Sequence, residues 1–82
     1  MDLERIEAAI EAVLFTMGES VEVDKIAAAI EQDAETTKRI IHNMMDKYDA
    51  ADRGIKIIEL ENSFQMCTKA EYYDALIKVA SQ

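Results

Sequence analysis

One stretch of this chain repeats with the period of strands, and it sits between segments that repeat with the period of helices. From Gly54 to Tyr72 the residues read GIKIIELENSFQMCTKAEY. Ile55 and Ile57 alternate with Lys56, and after Glu61-Asn62-Ser63 the residues Phe64, Met66 and Thr68 alternate with Gln65 and Cys67. The pattern predicts a β-hairpin whose tight turn uses Asn62, the residue there that best tolerates a positive φ. A lone hairpin is marginal in water, so this one must lay an apolar face on helices, with Phe64 and Met66 turned inward. Ile58 and Leu60 point opposite to Ile55 and Ile57 if the pleat is regular. Either a bulge re-aims them or the first strand is apolar on both faces, which leaves one face in need of a partner.

The helical pattern begins at Leu3. Leu3, Ile6, Ile10, Val13, Leu14 and Met17 make a core-facing stripe that Gly18 stops, while Glu4, Glu7 and Glu11 read as a solvated outer ridge. Ala8, Ala12 and Phe15 form a narrower strip beside it. This strip is either the edge of a wide core contact or a surface that another chain covers.

Ser20-Val21-Glu22 is extended, with room for a one- or two-residue strand beside the hairpin. A short helix from Val23 to Glu31 turns Ile26, Ala27 and Ile30 inward. Asp33 can cap a third helix, Ala34 to about Ala51, with Thr37, Ile40, Ile41, Met44 and Tyr48 on its inner face. Met45 lies at the rim of that face, where an adaptable side chain suits a partner. Arg53-Gly54 is the exit, where glycine tolerates a positive φ. A last helix from Ala70 to about Ala80 is expected to insert Tyr73, Leu76, Ile77 and Ala80. The fold class is therefore mainly α with a small β-hairpin, a winged helix of three helices, a two-stranded wing and a C-terminal helix, in one domain spanning 1–82.

Charge narrows what such a fold can do. The chain carries 9 basic and 17 acidic residues, a net of -8, and acidic residues prevail in every third. Phosphate neutralisation dominates nucleic-acid affinity, so direct binding to DNA is not expected, although Lys38, Arg39 and Lys47 lie on the helix that enters the major groove in DNA-binding relatives of the fold. Glu61 stands at the hairpin tip where a DNA-binding wing carries Arg or Lys. A DNA-binding transcriptional regulator is thus the second reading, behind an interaction module.

Catalysis lacks parts. His42 and Asp46 are one turn apart, but two ligands from one helix make no metal site, and the single cysteine, Cys67, has neither a histidine partner nor a basic cluster. No phosphate loop is present, so no cofactor is expected. The N-terminus lacks a signal-peptide pattern and no apolar run reaches membrane-spanning length, which predicts a cytoplasmic protein.

Two separated segments carry a family resemblance. EAAIEAVLFTMGESVEVDKIAAAI, with Glu11, Ala12, Leu14, Phe15, Gly18 and Glu19, and RGIKIIELENSFQMCTKAEY, with Arg53, Gly54, Ile55, Ile57, Phe64, Met66, Thr68, Lys69, Glu71 and Tyr72, resemble the N-terminal winged-helix domain of the bacterial segregation and condensation protein B family. Ser20 and Ala70 stand where the family commonly has proline, Glu31 where a glycine usually closes the second helix, and Asn62-Ser63 where the turn is often glycine-rich. The resemblance implies a non-enzymatic module that homodimerises and binds a kleisin, segregation and condensation protein A, and through it the SMC ATPase. It implies association with the nucleoid and an N-terminal fragment without the family's second winged-helix domain. Surplus apolar surface makes Ala8, Ala12, Phe15, Ile58 and Leu60 the candidates for the dimer contact and Met45 the candidate for partner binding.

Overall fold

The computed structural model describes residues 2–81 of the chain. Asp2 opens α1 (Leu3–Met17) by accepting a hydrogen bond from the Arg5 amide at 3.0 Å, and Gly18 closes it at φ 66°, returning its amide to the Leu14 carbonyl. The buried stripe is narrower than its spacing predicts. Ile6, Ile10 and Leu14 are buried and Val13 half-buried, whereas Leu3 and Met17 are 51% and 52% exposed. Each lies one turn beyond the buried span, so the helix overhangs its support at both ends.

Val21–Glu22 forms β1, the short strand expected beside the hairpin, and α2 (Val23–Ile30) buries Val23, Ile26, Ala27 and Ile30. Its capping residue Glu31 takes φ 57°, a conformation that glycine adopts freely and that costs other residues about 1–2 kcal/mol. The position at which the family resemblance anticipates glycine is therefore one where the backbone needs it.

α3 (Ala34–Ala50) starts as expected. Asp33 accepts from the Thr36 amide at 2.7 Å and from the Thr36 hydroxyl at 3.1 Å. These bonds hold its carboxyl below the ordinary 3.8, so the cap's contribution is present above that pH and is lost as the pH falls through the lowered value. Thr37, fully buried, satisfies its hydroxyl by donating to the Asp33 carbonyl at 2.8 Å. At the other end, Lys69 Nζ donates to the carbonyls of Tyr48 and Ala51 at 2.9 and 2.8 Å, supplying partners that the last turn of a helix lacks. The Lys69 amide also donates to the Gly54 carbonyl at 2.8 Å. Gly54 does not take the positive φ expected of it. The chain leaves α3 through an extended Ala51 instead.

The hairpin consists of β2 (Ile55–Leu60) and β3 (Ser63–Thr68), and β1 adds to β3, giving an antiparallel sheet in the order β1-β3-β2. The wing thus gains a third, two-residue strand. Asn62 occupies the turn at φ 54°, and its carbonyl accepts from the Val23 amide at 2.9 Å, tying the hairpin tip to the start of α2. Pairing is regular from Ile55 opposite Thr68 to Leu60 opposite Ser63. No bulge re-aims Ile58 or Leu60, and β2 is apolar on both faces. The inner row contains Ile57, Phe64 and Met66, all buried with Ile10, Leu14, Ile26, Ile41 and Met44 in one core.

Two long-range contacts fasten α1 to α3. Lys47 Nζ donates to both carboxylate oxygens of Glu7, at 2.9 and 3.1 Å, and Tyr48 donates its hydroxyl proton to Glu11. Glu7 keeps only 15% of its side-chain surface exposed. The acidic ridge is therefore partly a fastening and not simply a solvated face.

The last segment departs most from expectation. A 3-10 turn at Ala70–Tyr72 leads into α4 (Tyr73–Ala80), and no residue of either is buried. Tyr73, Leu76 and Ile77 are 50%, 46% and 62% exposed and Ala80 is exposed as well, so the stripe expected to enter the core does not. The extents of 44 × 22 × 21 Å agree with a helix standing off the body.

Two outcomes follow. Phe64→Ala removes a fully buried ring and should cost about 3–5 kcal/mol in urea unfolding, a large share of the stability of so small a domain; a loss under 1 kcal/mol would contradict the packing described. Burial, and then the hydrogen bond to Glu11, push the Tyr48 phenol up to about 12. Because the folded value exceeds the unfolded 10.0, the stability it contributes is full below pH 10 and is lost as the pH rises towards 12. An absorbance titration should show a late phenolate phase near that value, which Tyr48→Phe removes; an unchanged titration in the variant would contradict the assignment.

Candidate interaction surface

Helical periodicity puts Ala8, Ala12 and Phe15 on one side of α1, and the fold leaves all three exposed, Phe15 at 75%. Among the described residues the strip is not the edge of a core contact, because all three side chains are exposed. Two grooves run beside it. One, of about 360 Å³, lies between α1 and the end of α3 and is bordered by Ala8, Glu11, Met44, Tyr48 and Ala51. The other, of about 250 Å³, is bordered by Ala12, Phe15, Ile55 and Met66, with Glu11 at its rim. Glu11 is common to both, so the strip and its grooves form one surface along α1.

The outer face of the sheet is a second apolar surface. Ile58 is half-buried opposite Gln65, and Leu60 is 45% exposed opposite Ser63. It is separate from the α1 surface, because β-strand alternation sends these side chains away from the row that packs on α1 and α3. Met45 is half-buried and packed against the core, presenting only an edge outward. The candidates named from sequence thus fall on three sites and not on one. A fourth apolar surface, on α4, was missed because its stripe has the same spacing as a buried one.

The remaining polar groups are placed as follows. His42 Nε2 lies 2.9 Å from Glu59 Oε1, a partner on β2 and not the neighbouring Asp46, and its ring meets Phe64 edge-on at 6.0 Å. Among the described residues, no three His, Cys, Asp or Glu side chains converge as a metal site would require. Cys67 is a free, half-buried thiol. Of the cations near α3, Lys47 is turned to Glu7 and Lys69 to backbone carbonyls, Arg39 donates to the Thr36 hydroxyl at 3.5 Å, and Lys38 borders a hollow with Glu22, Asp24 and Glu61. Among the described residues, no helix is long and apolar enough to cross a membrane.

Comparison with known proteins identifies the family of this chain. The family model described as segregation and condensation complex subunit ScpB matches residues 8–82. Segregation and condensation protein B of Lachnoclostridium phytofermentans is 61% identical over 80 residues, covering 98% of this chain and 42% of that protein. The protein of the same name from Agathobacter rectalis is 47% identical over 77 residues, covering 93% of this chain and 41% of that protein. The chain therefore spans about two-fifths of the length of the curated relatives it matches. Among solved structures, a dimer of the ScpB N-terminal domain complexed with ScpA peptide superposes with a TM-score of 0.88 at 31% identity, covering 94% of this chain and 96% of that one. ScpB from Mycobacterium tuberculosis superposes with a TM-score of 0.91 at 25% identity, covering 98% of this chain and 50% of that one. With the family model running from the middle of α1 to the end of the chain, and close relatives aligned over nearly all of it, this chain belongs to the ScpB family of segregation and condensation complex subunits.

Proposed function

We propose that this chain is a non-enzymatic assembly module, the N-terminal winged-helix domain of a longer protein, which homodimerises and contributes to binding a kleisin of the ScpA type. Through the kleisin it joins an SMC ATPase in chromosome condensation and segregation, acting in the cytoplasm at the nucleoid without a cofactor. Phe15 carries this reading. A large aromatic side chain 75% exposed beside Ala12 and an apolar groove forgoes much of the ~1.5–3 kcal/mol that full burial of a large apolar side chain contributes, and association recovers it. The likeness to a domain crystallised as a dimer with an ScpA peptide supports the same reading.

The dimer contact is assigned to Ala8, Ala12 and Phe15, with Ile58 and Leu60 on the outer face of the sheet as the next site. Met45, an adaptable side chain at the rim of α3, is assigned to the kleisin. The regulator reading is disfavoured by a net charge of -8 and by cations already engaged within the fold.

Ala12→Glu places a charge in the strip without touching the core. In sedimentation equilibrium the native chain should approach twice 9.3 kDa, and the variant should remain at the mass of one chain with unchanged helical circular dichroism. A dimer indifferent to Ala12→Glu would move the contact to Ile58 and Leu60. With a random DNA duplex at physiological salt, no binding should be seen in the ~10⁻⁴ to 10⁻⁶ M range of ordinary non-specific binders. A micromolar, steeply salt-dependent affinity would favour the regulator.

A further inference from the structure

α4 is the part of the chain that the domain does not use for itself. Tyr73, Leu76, Ile77 and Ala80 form its stripe, and all are exposed. Isolated helices shorter than about 12–15 residues are marginal in water, so an eight-residue helix needs a packing surface to persist. Among the described residues its main neighbour is the 3-10 turn that leads into it, and none of its own residues is buried. Along the strip on α1, Ala12, Phe15, Ile55 and Met66 border an apolar groove with the opposite need. Ala12 is small enough there for a helix to approach closely.

We infer that α4 of one copy lies in the Phe15 groove of a second copy, and reciprocally. This rests on the homodimer reading above and specifies what the strip on α1 meets. A two-fold axis permits it, because each protomer then offers one helix and one groove.

Two observations choose a second copy as the occupant. A similar domain crystallised as a dimer, and 96% of its chain falls within the match, so the region that this chain shares with it is the region present in that dimer. Charge also decides between α4 and α1 as the element that enters the groove. Pairing α1 with α1 across a two-fold axis sets the ridges carrying Glu4 and Glu11 against each other, and like charges in contact oppose association. α4 brings one acid, Asp74, and one base, Lys78, so its face is neutral overall, and Lys78 complements Glu11 at the groove's rim.

The test uses single-cysteine chains in a Cys67→Ser background, one with Ala12→Cys and one with Leu76→Cys, treated with a short bis-maleimide separately and as an equal mixture. All of the substituted positions are exposed or half-buried, so the fold should be retained. The mixture should give a covalent dimer several-fold in excess of that from either chain alone. Ala12→Cys chains that cross-link to themselves at least as well as to Leu76→Cys chains would overturn the docking in favour of an α1-to-α1 contact. Sedimentation of the untreated chains separates the two ideas. A dimer without the mixed product overturns the docking and leaves the homodimer standing, whereas a monomer throughout overturns both.

Discussion

Everything in this domain depends on burying one face of a hairpin that could not stand alone. Phe64, Ile57 and Met66 fill the space between the sheet and the buried residues of α1 and α3, and Phe64 and Ile57 retain essentially no exposed surface. Fully burying side chains of this size contributes ~1.5–3 kcal/mol each, against a total stability of ~5–15 kcal/mol for a typical domain. Because side chains alternate along a strand, fixing that row inward also fixes Ile58, Leu60 and Cys67 outward. Polar contacts then refine the packing: the Asn62 carbonyl holds the hairpin tip to α2, Lys69 ties the end of β3 to the end of α3, and Glu7 and Glu11 hold α1 to α3.

The same constraint explains where the exposed apolar surfaces lie. One small core cannot cover all the apolar residues of a chain that is 50% hydrophobic, and the remainder collects on α1, on the outer sheet face and on α4. A surface of that kind suits the proposed assembly role, which needs apolar faces for partners. The acidic balance works in the same direction, since it leaves contacts between proteins available while discouraging contact with phosphate backbones.

Much of this was legible in the residues because it is local. Helical and strand periods placed the elements, Asp33 announced the cap of α3, and Asn62 announced the turn. Glu31 shows a different kind of legibility. Its departure from the glycine expected by resemblance marks a backbone in the left-handed region. What escaped was whatever depends on distant partners. Glu7 and Glu11 looked solvated because their partners lie 40 and 37 residues away on α3. His42 likewise pairs with Glu59 on β2 and not with Asp46 on its own helix. Leu3, Met17 and the whole of α4 have the spacing of buried stripes, yet periodicity tells which side of a helix is apolar and not whether anything lies against it. The strip of Ala8, Ala12 and Phe15 was ambiguous for the same reason, and the folded domain leaves all three exposed.

The central claim is that apolar surface left outside this core is there to be covered by a second copy. α4 reports on it directly, because an eight-residue helix with no buried residue is marginal by itself and gains protection where a surface packs against it. Amide hydrogen exchange of residues 73–80 in the native chain, followed from high to low protein concentration, should show protection that disappears as the chains dissociate, while α3 stays protected throughout. Exchange at the unprotected rate at every concentration, with the chain sedimenting as a dimer or not, would contradict the assignment of α4 to the assembly.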